Sequence, residues 1–224
     1  MRDGLLLIMR GMRVGVLLAG CGPLDGSDPG ETLLLLLALE EAGERPVILA
    51  TDRPLERVVD HRTALADETG ARSALVESAR LTRHPVRDLR EVAPEDLEAL
   101  FVPGGYGAAL NFQGGFARPG ESRPLHPEVE RFLRHFESAR KPIGTIGLGE
   151  IPVRALYGLD LPADPSGPPG QVDVDAARRL WHTPGAVSGG RLPDLRAGIT
   201  ALVAAVLEAM RQGDPEARAS RRAS

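Results

Sequence analysis

Apolar residues in this chain gather into short unbroken runs separated by amphipathic stretches, and that alternation predicts strands and helices in turn. Arg13 to Ala19, RVGVLLA, is a continuous apolar run of strand length, stopped by Gly20-Cys21-Gly22. Such runs suit strands covered on both faces, as in parallel sheets. After the polar loop PLDGSDPG, Glu31 opens the helical stretch TLLLLLALEEAG, closed by Gly43 at the C′ position. Five consecutive leucines make this helix apolar nearly all round, so a cover is expected on both sides, one of them a partner subunit. Arg45 to Thr51, RPVILAT, reads as the next strand and completes a βαβ unit.

Further along, Ala71 to Arg83 reads as a helix with Leu75, Ala79 and Leu81 turned inwards. Leu97 to Val102 is a strand ending in Pro103-Gly104-Gly105-Tyr106-Gly107, Pro127 to Ala139 an amphipathic helix, and Pro142 to Ile146 a further strand. The stretch GLDLPADPSGPPGQ after Tyr157 is expected to be a surface loop, followed by a little helix. Arg179 to His182 reads as a short strand and Leu195 to Met210 as the closing helix. No internal repeat and no second core are visible. The expectation is one α/β domain over residues 12–212, with a mostly parallel central sheet between helices, an extension at 1–11 and a frayed tail at 213–224.

Composition narrows the function classes. A chain of 224 residues suits one α/β domain, and its 42% hydrophobic content fills a core built of Leu, Val and Ala rather than aromatics, which are only 4%. A net charge of -4 gives no electrostatic footprint for nucleic acid. With one cysteine there is no intrachain disulfide and no cysteine-based zinc site, and a reducing cytoplasm is the expected compartment. Leu5 to Met9 is far too short to span a bilayer, so no membrane association is expected.

Candidate chemistry gathers at the strand ends. In KPIGTIGLGE, Lys141 to Glu150, a strand breaks straight into a helix. Many α/β hydrolytic and thiol enzymes present a nucleophile on such a turn; here the tip is Gly147. Three glycine loops, Gly20-Cys21-Gly22, Gly104-Gly105-Tyr106-Gly107 and Gly147-Leu148-Gly149, follow three strands, and in a parallel sheet they meet at one edge. Glycines there either make tight turns or bring N–H groups to a ligand oxyanion. None matches a Walker or dinucleotide fingerprint, so no cofactor is expected. Glu31 is either a helix-start residue favoured by the dipole or a general acid–base. Cys21 is either a small buried apolar residue or a thiolate activated by a helix N-terminus. The five histidines show no metal-ligand spacing, so no metal is expected, and His182 alone approaches the same edge. A Ser-His-Asp arrangement lacks its elbow serine.

AGCGPLDGSDPGET, LVESARLTR, VPGGYGAALN and KPIG with its elbow together resemble the ElbB-like (enhancing lycopene biosynthesis) branch of the ThiJ/PfpI superfamily, from about Arg13 to Tyr157 and again from His182. The resemblance implies a flavodoxin-like three-layer sandwich of the class I glutamine-amidotransferase type, in many members a homodimer. It also implies a cysteine on the elbow, a glutamate touching it, and backbone donors from the GG loop. By position the glutamate is Glu31, the donors are Gly104 and Gly105, and Asn111 and Leu148 fall at ligand-binding positions. The elbow cysteine falls on Gly147. The segment from Gly158 to Leu180 is also shorter than the resemblance implies and lacks its strand.

Three readings follow. The chain is a non-catalytic or impaired small-molecule-binding or regulatory member; or its chemistry has moved to Glu31 or Cys21, as a glyoxalase-, deglycase- or amidase-like enzyme on small carbonyl compounds; or it is an interaction subunit acting through its first helix. A fourth possibility, an engineered glycine at 147, is open on sequence alone, though the shortened segment speaks for natural divergence.

Overall fold

In the computed structural model, described for residues 14–68, 70–116, 123–159, 167–168 and 170–213, every residue of the first strand is buried, as its unbroken apolar run requires. This strand, β1 (Val14–Leu18), leads into α1 (Pro29–Glu41), β2 (Val47–Ala50), β3 (Val59–Asp60), β4 (Leu65–Ala66), α2 (Ala74–Leu81) and β5 (Val86–Asp88). Then follow β6 (Ala99–Val102), α3 (Gly107–Gln113), α4 (Pro127–Ser138), β7 (Ile143–Ile146), α5 (Glu150–Leu156), β8 (Asp173–Asp175), β9 (Leu180–Thr183) and α6 (Leu192–Gln212). The main sheet has seven strands in the order β5-β2-β1-β6-β7-β9-β8. All its pairings are parallel except that of β8 with β9. This is the α/β sandwich that the alternation of elements implies, and it is flavodoxin-like as the resemblance implies.

Side-chain alternation divides the core into two layers. Val14, Val16, Leu18 and Phe101 face α1 and α6, whereas Leu17, Leu100 and Ile143 face Phe112 of α3, Phe132 and Phe136 of α4, and Val153 of α5. The connection after β1 goes to β2 on one side, and the chain later places β6 on the other. The carboxyl ends of β1 and β6 therefore flank the point where strand order reverses, the usual place for a ligand crevice in an open α/β sheet.

Several expectations are corrected. The inward face of α2 is Ala74, Glu77 and Ser78, with Leu75 and Leu81 half-buried and Ala79 exposed. Burial there follows the i, i+3, i+4 spacing, and Ser78 goes inside because its hydroxyl accepts a bond from the N–H of Gly20 (3.0 Å). On α1, Leu35, Leu36 and Leu39 are buried, but Leu33 and Leu37 are 51% and 42% exposed, so a single chain covers only one side of this helix. Where a little helix was expected before Leu180, the edge strand β8 pairs antiparallel with β9 through the turn 176–179. An Asp-Val-Asp strand is too short to show a period, and it is set by the neighbour that needs an edge partner. The two-residue strands β3 and β4 were not expected either. The extension 1–11, most of the Pro/Gly loop and nearly all of the tail lie outside the described residues.

Phe132 is fully buried at the centre of the second layer. Phe132→Ala is expected to lower unfolding stability by about 3–5 kcal/mol with an unchanged denaturant slope. Urea titration read from the emission of the single tryptophan, buried Trp181 of β9, checks this.

Candidate functional site

The site begins with a helix start. Asp28 caps α1, its carboxylate accepting from the N–H of Glu31 (3.0 Å), and Pro29 fills the first helical position, where its missing N–H costs nothing. This fixes Glu31 in the first turn, aimed across the carboxyl ends of β6, β7 and β9. Its side chain is 1% exposed. Oε2 accepts from the N–H of Gly104 after β6 (2.7 Å), and Oε1 accepts from the N–H of Ala186 after β9 (2.7 Å). One carboxylate thus ties the starts of two loops to α1.

Gly147 closes the third side. It opens the 3-10 turn Gly147–Gly149 directly after β7, with φ of +49°. A Cβ there would stand 2.9 Å from Glu31 Oε1, 3.3 Å from the carbonyl oxygen of Pro184 and 3.5 Å from Val187 Cγ2. The left-handed backbone and the crowding both favour glycine, and the geometry is that of a nucleophile elbow whose tip faces Glu31. The neighbour on the other loop, Gly185, also lies hard against Oε1, where a Cβ would collide with it.

Burial pushes the Glu31 carboxyl up to about 7, helped by the nearby Asp28 carboxylate, while the two N–H bonds pull the other way. Burial also raises the Cys21 thiol, and Glu77 and Asp25 raise it further against weaker opposition from Arg80 and Arg72. Half-buried Cys21 is therefore a protonated thiol at neutral pH, with no thiolate of the kind a helix N-terminus would stabilise. The charges acting on it come from α2 and its surroundings, away from Gly147.

The GG loop and Asn111 are also placed differently from expectation. Gly104 spends its N–H on Glu31 and its carbonyl on the N–H of Asp28 (2.8 Å). Gly105 is packed against the chain at Gly26 to Asp28. Tyr106 and Gly107 bond to the carbonyls of Pro23 and Gly26 (2.8 and 3.0 Å), so this loop is zipped to the loop after β1. Asn111 donates to the carbonyls of Ala19 and Asp25 (2.7 and 2.8 Å) and accepts from the N–H of Glu56 (2.9 Å). Both its N–H donors and its carbonyl oxygen are engaged with backbone, so it clamps three segments. Leu148 is half-buried on the 3-10 turn, with its N–H against Gly104. His182 lies within β9, not after it, with Nδ1 3.0 Å from Thr145 Oγ1. Among the described residues, no group of three or more His, Cys, Asp or Glu could hold a metal ion.

Ala186 and Asp28 are the functional neighbours that sequence reasoning passed over. The Asp-Pro pair at the helix start signals a cap and first position. Ala186 acts through its backbone, which leaves no side-chain signature.

The raised Glu31 pKa has a thermodynamic consequence. The folded state holds this proton up to about pH 7, whereas the unfolded chain loses it near 4.5, the ordinary value for a glutamate. Its contribution to stability is thus fully present below pH 4.5 and is lost as pH rises to 7. The stability of the native chain relative to Glu31→Gln is expected to fall by a few kcal/mol between pH 4.5 and 7.5, measured by urea unfolding across that range. A pH-independent difference would mean that Glu31 ionises normally.

No family model matches the chain. Over 150 residues, 66% of this chain and 56% of the relative, it is 35% identical to the human "Glutamine amidotransferase-like class 1 domain-containing protein 3, mitochondrial". It is 38% identical over 132 residues, 59% of this chain and 49% of the relative, to the rat "ES1 protein homolog, mitochondrial". The chain spans about half the length of the curated relatives it matches. Among solved structures, an Ehrlichia chaffeensis isoprenoid biosynthesis protein with an amidotransferase-like domain superimposes with a TM-score of 0.78 at 27% identity, covering 88% of this chain and 99% of that one. A ThiJ/PfpI domain protein from Brachyspira murdochii shares the fold at 14% identity, with a TM-score of 0.50 and coverage of 87% and 97%. The chain thus has the ThiJ/PfpI fold, and its relatives in sequence are glutamine amidotransferase-like class 1 domain proteins of the ES1 type.

Proposed function

We propose that this chain is a non-catalytic or strongly impaired member of the ElbB-like branch of that fold, acting as a small-molecule-binding or regulatory protein. One observation carries the reading: the elbow apex facing the Glu31 carboxylate is Gly147, which has no side chain to offer. Without a nucleophile there is no covalent intermediate, and removing a nucleophile from such a unit costs most of the rate. The backbone groups expected to stabilise an oxyanion support the same reading, because the N–H of Gly104 is spent on Glu31. Thiol-dependent glyoxalase, deglycase or amidotransferase chemistry has no attacking atom here.

A pKa near 7 favours the rival reading, in which Glu31 works as a general acid–base. Against it, both carboxylate oxygens are held by backbone N–H groups and the side chain is 1% exposed. The second candidate of that reading, Cys21, is disfavoured by its raised pKa.

Two further elements belong to this proposal. Leu33 and Leu37 of α1 are exposed, together with Leu192 at the start of α6, and a second copy of the chain is the cover proposed for them. Among the described residues no helix is long and apolar enough to cross a membrane. The relatives named above carry a mitochondrial designation. For this chain we propose a reducing aqueous compartment, of which the cytoplasm is one.

Assays on methylglyoxal and on glutamine are expected to give no turnover above background with the chain as it stands. Gly147→Cys is expected to lower unfolding stability by about 1 kcal/mol for the left-handed backbone, and by more where its Cβ displaces the Glu31 carboxylate, read by urea titration. Thiol-dependent turnover by the unsubstituted chain would overturn the reading.

A further inference from the structure

On the face of β7 and β9 turned away from α1, a cavity of about 290 Å³ opens beside the sheet edge, lined among others by Thr145, Glu150, Arg154, Asp173 and His182. Its size is at the lower end of small-molecule pockets. Thr145 and His182 point into it because they alternate with Ile146 and Trp181, which belong to the opposite core layer. None of Glu31, Gly104, Gly147 or Ala186 lines it.

The polar groups are arranged around a gap. His182 Nε2 stands 3.9 Å from Glu150 Oε1, too far for a direct hydrogen bond. Its Nδ1 lies 3.0 Å from Thr145 Oγ1, which orients the ring. A donor placed about 2.8 Å from both atoms would bridge them. Burial lowers the imidazole to about 4, so the ring is neutral at pH 7.5, and burial raises the Glu150 carboxyl against the opposing pull of Arg154. The neutral ring leaves the gap beside Glu150 Oε1 without a positive charge of its own. The surroundings agree in sign: among the described residues three carboxylates line the cavity, Glu150, Asp173 and Asp175, against one guanidinium, that of Arg154. That guanidinium is 3.5 Å from Glu150 on its other oxygen, and Asp175 is paired with Arg178 at 2.7 Å. The Asp173 carboxylate reaches both groups and raises the pKa of each.

We propose that this cavity binds a small aliphatic amine, its ammonium held between Glu150 Oε1 and His182 Nε2 and its alkyl chain against Val153, Val174 and Leu180. On binding, Glu150 Oε1 accepts an N–H from the ammonium. The second N–H goes to Nε2 of His182, in the tautomer whose Nδ1–H donates to Thr145 Oγ1. The Asp173 carboxylate stabilises the bound charge from the rim. A carboxylate ligand would instead have to break the Glu150–Arg154 pair and sit beside Asp173, which disfavours anions of the same size.

The test is a ¹⁵N NMR titration of the full chain at pH 7.5 and constant ionic strength with n-butylamine, with butyrate and n-butanol as matched probes. Butylamine is expected to give saturable shifts at Thr145, Val174 and His182, with an affinity at least about tenfold above either control, the worth of one charge-assisted hydrogen bond. Glu150→Gln is expected to weaken it about tenfold or more, and the surface change Asp173→Asn about threefold. Asp173→Asn keeps the proposal testable if the buried substitution impairs folding. No saturation with butylamine, equal binding of butyrate or butanol, or an affinity untouched by both substitutions would overturn it. Failure here leaves the reading of Gly147 intact, since the two sites share no side chain.

Discussion

The bridge made by one buried carboxylate organises this molecule's ligand edge. Glu31 reaches from the first turn of α1, beside the point between β1 and β6 where strand order reverses, to the N–H groups of Gly104 and Ala186, joining the loops after β6 and β9. Burying a carboxyl is costly, and the rise of its pKa to about 7 measures that cost after two N–H bonds have offset part of it. The arrangement survives because it is over-determined. Asp28 caps the helix and at the same time bonds through its N–H to Gly104, while Asn111 and Ser78 hold the loop after β1 against its neighbours.

The same bridge limits the chemistry. A carboxylate that would otherwise sit beside an elbow side chain has both oxygens turned onto backbone, and Gly147 approaches Oε1 so closely that any side chain would have to displace it. Pre-organised donors stabilise a transition state only if they face the place where charge develops. Here the N–H of Gly104 faces a permanent resident. The site is therefore stable and closed at its centre, and the open volume lies on the other side of β7 and β9, around His182 and Glu150.

Much of this frame was legible in the sequence, for physical reasons. RVGVLLA and RPVILAT read as buried parallel strands because they lack polar positions, and the three glycine loops fall on one edge because parallel strands all end there. Glu31 and Gly147 fall on that edge by their places at a helix start and a strand end, and the resemblance to ElbB-like proteins is what pairs them. The roles of Gly104 and Asn111 could not be read, because nothing local tells whether an N–H or an amide faces a ligand or the protein's own backbone. Asn111 spends its bonds on partners as many as 92 positions away. The strands β3, β4, β5 and β8 have two or three residues each and carry no period to read. Cys21 was ambiguous because its pKa is raised first by burial and then by Glu77, and only the fold creates either.

The most direct test of this account is a ¹³C NMR titration of the Glu31 side-chain carboxyl carbon, followed together with the amide protons of Gly104 and Ala186. The account expects one midpoint near 7, shared by all three signals as the carboxylate gains or loses its charge between the two N–H groups. A midpoint in the ordinary glutamate range near 4.3, or amide shifts that ignore it, would contradict the buried bridge on which the site is built.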